Sequence, residues 1–171
     1  GDYIYAANGF YSGGTAIEVI NPVDDTNTID INVNAPITNI TANTQFVYAL
    51  TANETTSKIS VIGNTGIEMI EELKQVNARH IVVDAGFIYY TAGTGVYRMN
   101  TSLNSESTKL LDVTAGDQYS ILYGFNVIDG KIFTSDANDF TKNCKVTIYN
   151  TNGSIIKELT AGIATNGFYK Y

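Results

Sequence analysis

The residues of this chain best suited to chemistry gather in two stretches, Asn8-Gly9-Phe10-Tyr11-Ser12-Gly13-Gly14 and Asp136-Ala137-Asn138-Asp139-Phe140-Thr141-Lys142-Asn143. Each is longer than a tight turn requires, and each sets an aromatic ring beside amides or carboxylates. A ring offers an apolar face for stacking while neighbouring polar groups fix orientation by hydrogen bonds, the pairing that suits a sugar or a corrin-like ligand. Phe10, Tyr11, Asp136, Asn138 and Phe140 are therefore candidate ligand contacts. The competing reading is that the rings pin their loops to the sheet beneath. Asp136, Asn138 and Asp139 also offer oxygen ligands, but their spacing lacks the Asp-x-Asp-x-Asp-Gly order of a calcium loop and Asx residues are ordinary turn formers, so no metal is assigned.

Candidate catalysts are scarce. His80, the one histidine, stands in Ala78-Arg79-His80-Ile81-Val82-Val83-Asp84, which excludes a multi-histidine metal centre within the chain and leaves a single imidazole base. A structural histidine is the expected reading, since no Gly-x-Ser-x-Gly elbow accompanies it. Gly93-Thr94-Gly95 is too short to cradle a phosphate. No catalytic residue is assigned and no cofactor is implied. Cys144 is alone, so neither an intrachain disulfide nor a cysteine-based zinc site can form. With 17 acidic against 10 basic residues the net charge is −7, and the basic residues are scattered. Nucleic acid is thereby an improbable partner, because neutralising phosphates takes clustered Lys and Arg. There is no apolar run of about 18 residues to cross a membrane, and no signal peptide at Gly1; an exported form would carry its leader outside these residues or have lost it.

The elements that position these residues are written as a repeat. Copies open at Asp2-Tyr3-Ile4-Tyr5, Gln45-Phe46-Val47-Tyr48, Gly86-Phe87-Ile88-Tyr89 and Gly130-Lys131-Ile132-Phe133. A period of about 40–45 residues with short alternating strands predicts four-stranded β-propeller blades. In each copy a strand b carries an aromatic at one fixed point (Tyr5, Tyr48, Tyr89, Phe133), which predicts a shared packing role. Strand c follows at 16–21, 58–63, 95–100 and 145–150, and strand d at 28–33, 67–73, 109–113 and 154–159. Strand a precedes each later b strand, at 37–42, 80–84 and 122–128. Ala85-Gly86 and Asp129-Gly130 are predicted a-to-b turns, and Asn152-Gly153 a two-residue hairpin. The 67–76 stretch, rich in Glu, is read as strand d, with Met69, Leu73 or Ile70 inward, rather than as a short helix. Gly162 to Tyr169 reads as a final strand a without a b strand after it. Residues 1–171 are thus expected to form an all-β propeller domain of about four blades, as the C-terminal half of a ring of about seven or eight rather than a closed four-bladed one. On such a scaffold the b-to-c and d-to-a loops share one face, which places Arg79 and Tyr119 beside the candidate ligand contacts.

The runs Ile4-Tyr5-Ala6-Ala7-Asn8 with Ile17-Glu18-Val19-Ile20-Asn21, and Val47-Tyr48-Ala49-Leu50-Thr51 with Ile59-Ser60-Val61-Ile62-Gly63, resemble the YVTN-type surface-layer propeller repeat. The run 146–159, closing on Gly167-Phe168-Tyr169, is similar to the ends of surface lipoprotein propellers from Bacteroidetes. Gly63 and Asn100 depart from the Asp usual in that repeat, and no copy has a full Tyr-Val-Thr-Asn. The resemblance implies a lipid-anchored outer-membrane or periplasmic location. It also implies capture of a cobalamin-like or glycan nutrient, and as partner either the remaining blades or an outer-membrane transporter subunit. The alternatives are a propeller enzyme acting on a polysaccharide or small ester with His80 as base, and a purely structural surface-layer module; fold does not choose among them.

Overall fold

The structure is a computed structural model that describes residues 3–8, 13–113 and 120–171, with residues 27 and 28 described for the backbone alone. Phe10, Tyr11 and Tyr119 lie outside the described residues. The chain is all-β and built of propeller blades, each an antiparallel meander. The first blade has three strands, β1 (Ile4–Ala7), β2 (Ala16–Asn21) and β3 (Thr26–Asn32). The second has β4 (Ile37–Ala42), β5 (Val47–Ala52), β6 (Ser57–Gly63) and β7 (Gly66–Glu72). The third has β8 (Ala78–Asp84), β9 (Phe87–Ala92), β10 (Gly95–Asn100) and β11 (Thr108–Asp112). The fourth has β12 (Gly124–Ile128), β13 (Lys131–Asp136), β14 (Asn143–Asn150) and β15 (Ile155–Ile163). Two compact units, Gly1–Ile81 and Val82–Tyr171, divide the chain within β8.

The repeat is as regular in register as in sequence. The aromatic of strand b faces an equivalent residue of strand c in every blade: Tyr5 opposite Val19, Tyr48 opposite Val61, Tyr89 opposite Arg98, and Phe133 opposite Ile148. In three blades a bulge follows that residue, after Val19, Val61 and Ile148. Just past strand d, the amides of Val33, Leu73 and Val113 donate to the carbonyls of Thr15, Ser57 and Thr94 at 2.8–2.9 Å, one hydrogen bond copied three times. The loops expected to share a face do meet: the amides of Ile37, Asn77 and Ala137 donate to Gly14, Asn53 and Ser120. Ala85-Gly86 and Asp129-Gly130 turn with both φ angles positive (47° and 82°, 51° and 69°), the geometry that matches the twist of a two-residue hairpin.

Each unit has its own apolar core. In the first, Ile17, Val19, Ile31, Val33, Ile37 and Ala49 pack together with Tyr5 against them. In the second, Tyr89, Val96, Leu111 and Leu122 of the third blade and the connection after it meet Phe125, Val127, Ile132 and Tyr149 of the fourth. Burying one such aliphatic side chain contributes about 1.5–3 kcal/mol.

Three expectations are corrected. Of the residues expected to face inward from the Glu-rich 67–76 stretch, which forms strand β7 of the second blade, Leu73 is buried at 8% exposure while Met69 and Ile70 stand 47% and 55% exposed. Leu73 falls just past the strand, where its backbone is tied to Ser57 and its side chain turns in. Asn152-Gly153 is not a two-residue hairpin. The loop spans Asn150 to Ser154, with Gly153 N donating to Asn150 O and Gly153 at φ 87°, because Tyr149 pairs with Ile155 and leaves too many residues for a tighter turn. Finally, Gly162 and Ile163 belong to β15, which pairs as far as Asn143, and residues from Thr165 onward form no ladder.

That last segment is nonetheless held in place. Thr165 N donates to Cys144 Sγ at 3.1 Å, as Ala78 N at the start of β8 donates to Ser57 Oγ at 3.1 Å. Ser57 and Cys144 are equivalent in register, so Thr165 enters as the first strand of a further blade would. Ser135 Oγ donates to Thr165 O, Asn126 Nδ2 to Phe168 O at 2.6 Å, and the Phe168 ring lies 5.6 Å from Phe133. The absence of a Cβ on Gly124 is what lets Asn166 approach, since a Cβ there would stand 2.8 Å from Asn166 Cα.

Truncating the fully buried Leu50 of β5 to Ala should cost about 2–5 kcal/mol in urea unfolding, whereas Met69→Ala on the exposed face of β7 should stay within about 0.5 kcal/mol.

Candidate functional site

Because side chains alternate along a strand, one face of the fourth blade carries Ile132, Thr134 and Asp136 from β13 with Lys145, Thr147 and Tyr149 from β14. The register sets Asp136 opposite Lys145, Thr134 opposite Thr147, and Thr147 opposite Glu158 of β15. The apolar end of that face, Ile132 and Tyr149, packs on the third blade. The polar end lines a cavity of about 210 Å³, closed on its other side by Val113, Ile121 and Leu122.

The polar groups of the cavity are of two kinds. Lys145 Nζ pairs with Glu158 Oε1 at 2.5 Å, and the Glu158 hydrogen bond and charge, with a smaller contribution from Asp136, hold the ammonium above its ordinary value. Asp136 Oδ1 accepts from the amide of Asn138 at 2.8 Å. Thr134, 4% exposed, donates its hydroxyl to Thr147 O. The hydroxyls of Thr147 and Tyr149, side chains only 6% and 8% exposed, have no hydrogen-bond partner among the described residues, and both residues line the cavity. No side-chain nitrogen or oxygen sealed off from solvent among the described residues lacks a partner, so these two hydroxyls reach solvent. Hydroxyls that meet solvent in a cleft are free to exchange that water for a ligand's polar groups.

The same cleft exists once more, between the first and second blades, with about 360 Å³. Register makes Thr51 equivalent to Asp136, Lys58 to Lys145, Ser60 to Thr147 and Ile70 to Glu158. Lysine and hydroxyl recur and each lysine pairs with a strand-d glutamate, Glu72 or Glu158, whereas the carboxylate of Asp136 has no counterpart in the second-blade cleft.

Of the residues singled out from sequence, Asp136, Asn138 and Phe140 come together in the loop after β13, and Asp136 alone of them lines the cavity. Asn138 is a loop former: its amide binds Asp136, its Nδ2 donates to Asn143 O at 2.7 Å, and its φ is 52°. Phe140, 43% exposed, sets its ring edge-on to Tyr123 at 5.1 Å, so the pinning role describes it. Asp139 binds Thr141 and Lys142, and those contacts hold its carboxyl well below the usual range. Arg79 is exposed on β8. Lys145, Thr147, Tyr149 and Glu158 escaped the sequence reading because strand residues look like scaffold. Lining up the repeat copies separates Tyr149 and Glu158, which stand where the second copy has Ile62 and Ile70, but not Lys145 and Thr147, whose lysine and hydroxyl recur.

His80 is half-buried on β8, and burial first, then the Arg79 charge, lowers its pKa to about 4. An imidazole that releases its proton so readily is a weak general base at neutral pH. A depressed histidine stabilises the fold above the unfolded value of 6.5, and that contribution is lost as pH falls through about 4. The His80 imidazole should titrate near 4 by NMR, and His80→Gln should flatten the loss of stability between those two pH values.

No family model matches the chain, and no curated protein matches it. Solved structures do. Kluyveromyces lactis Hsv2 matches at TM-score 0.64 and 11% identity over 94% of this chain and 49% of its own. The Dos1 propeller matches at 0.67 and 9% over 96% and 50%, and Kuenenia stuttgartiensis hydrazine synthase at 0.67 and 10% over 86% and 44%. The chain spans about half the length of these structures. Likeness at such low identity speaks for the fold alone, and that fold is the β-propeller.

Proposed function

We propose that this chain is a non-enzymatic binding module of a bacterial cell-surface or periplasmic β-propeller, which captures a small nutrient at the cleft of the fourth blade. The observation that carries the reading is that Thr147 and Tyr149, nearly buried residues whose hydroxyls have no partner among the described residues, line one cavity with an apolar wall. An apolar cavity with a few convergent polar groups is the usual form of a small-molecule site. Its 210 Å³ supports a ligand group of one ring, such as a sugar residue, over a corrin. The YVTN-like strands and the lipoprotein-like ending support a lipid-anchored outer-membrane setting in Bacteroidetes, with the remaining blades or a transporter subunit as partner.

Titration of a mono- and oligosaccharide panel by protein-observed NMR tests this reading. A ligand should shift the amides of Thr134, Thr147 and Tyr149. Thr147→Val, which keeps the shape and removes the hydroxyl, should weaken it about tenfold, the effect of losing one buried hydrogen bond. Ser60→Ala in the equivalent cleft should leave affinity unchanged. Shifts confined elsewhere would refute the site.

A further inference from the structure

The two clefts of this chain act as controls for one another. Both are made by the same strands in the same register, so whatever the scaffold itself needs is common to both: an apolar residue past strand d (Val33, Val113), a lysine (Lys58, Lys145) and a hydroxyl (Ser60, Thr147). Asp136 is the addition, and the threonine at the matching place of the second blade, Thr51, shows that folding does not call for a carboxylate there. In the second-blade cleft Lys58 is the charged lining residue, and it pairs with Glu72 at 3.6 Å. In the fourth-blade cleft two carboxylates flank one ammonium; Lys145 is committed to Glu158, which leaves the charge of Asp136 without a cationic side chain bound to it among the described residues. A carboxylate at the rim of a partly desolvated cavity favours a cation and penalises an anion. Beside it stand two hydroxyls able both to donate and to accept, and an apolar wall from Ile121, Leu122 and Ile155.

We infer that the ligand of this cleft is an amino sugar, a single hexosamine ring or the terminal residue of a chain, with its free ammonium on Asp136. This rests on the cleft being the binding site. The ring hydroxyls meet Thr147 and Tyr149, and the C–H face lies on the apolar wall. Each component of the site has its counterpart on such a ring. A neutral sugar offers the Asp136 carboxylate no charged donor. An N-acetylated one loses the cation.

The test is isothermal titration of the whole chain at neutral pH with glucosamine, glucose and N-acetylglucosamine. Glucosamine should bind at least tenfold more tightly than either. Asp136→Asn should bring glucosamine to within about threefold of glucose, while Thr147→Val should weaken glucosamine and glucose alike and Thr147→Ser should restore them. Equal affinity for glucosamine and glucose would overturn the inference. So would a preference that survives Asp136→Asn. If a different saccharide binds with loss on Thr147→Val while glucosamine does not bind, the inference fails and the cleft remains the site; if no saccharide moves the Thr147 and Tyr149 amides, both fall together.

Discussion

The register of the β13–β14–β15 ladder is the constraint from which the rest of the fourth blade follows. Side chains alternate with a period of two, so pairing Asp136 with Lys145 and Thr147 with Glu158 decides at once which residues share a face. A slip of one residue would bring Val146 and Leu159 into the cleft and turn Ile132 out of the core. That slip is prevented from two sides. Ile132, fully buried, and Tyr149 are locked into packing with the third blade, and the Asp129-Gly130 turn fixes where β12 hands over to β13.

The blades share a backbone more closely than they share side chains. The hydrogen bonds from Val33, Leu73 and Val113 to the start of strand c recur because they need amides and carbonyls alone, which every residue but proline supplies. The tie from the next segment back to strand c varies in chemistry but not in place: a serine hydroxyl accepts from Ala78, a cysteine sulfur from Thr165. Cys144 is therefore explained by its position in the repeat, as a small buried acceptor that anchors the last segment against the face of the fourth blade.

Function on such a scaffold comes from departures from the repeat. Loops invite attention because they are long and aromatic, yet the loop after β13 spends its polar groups on itself: Asp139 on Thr141 and Lys142, Asn138 on Asn143, and the Phe140 ring on Tyr123. Asx residues fold loops by the same hydrogen bonds that would bind a ligand, so composition could not separate the two uses of Asn138 or Phe140. Asp136 was found from sequence because it opens that loop. Its partners Lys145, Thr147, Tyr149 and Glu158 were passed over because alternating strand residues carry no mark of whether their face is covered by another blade or left open as a cleft.

The amino-acid sequence by itself determined the fold class, the four copies, the a-to-b turns and the aromatic at one fixed place in each strand b. These are local signals: alternation of period two, Gly at positive φ, and repetition at fixed spacing are written in neighbouring residues. It also determined that His80 would have no second histidine to work with. Only the tertiary structure decided that Leu73 turns in where Met69 and Ile70 stay out, that the segment from Thr165 lies along the fourth blade without a ladder, and that two hydroxyls and two carboxylates share one cavity. The physical reason is that burial and cavity formation depend on what packs against a face, and that partner comes from residues distant in sequence, as Leu122 is from Tyr149.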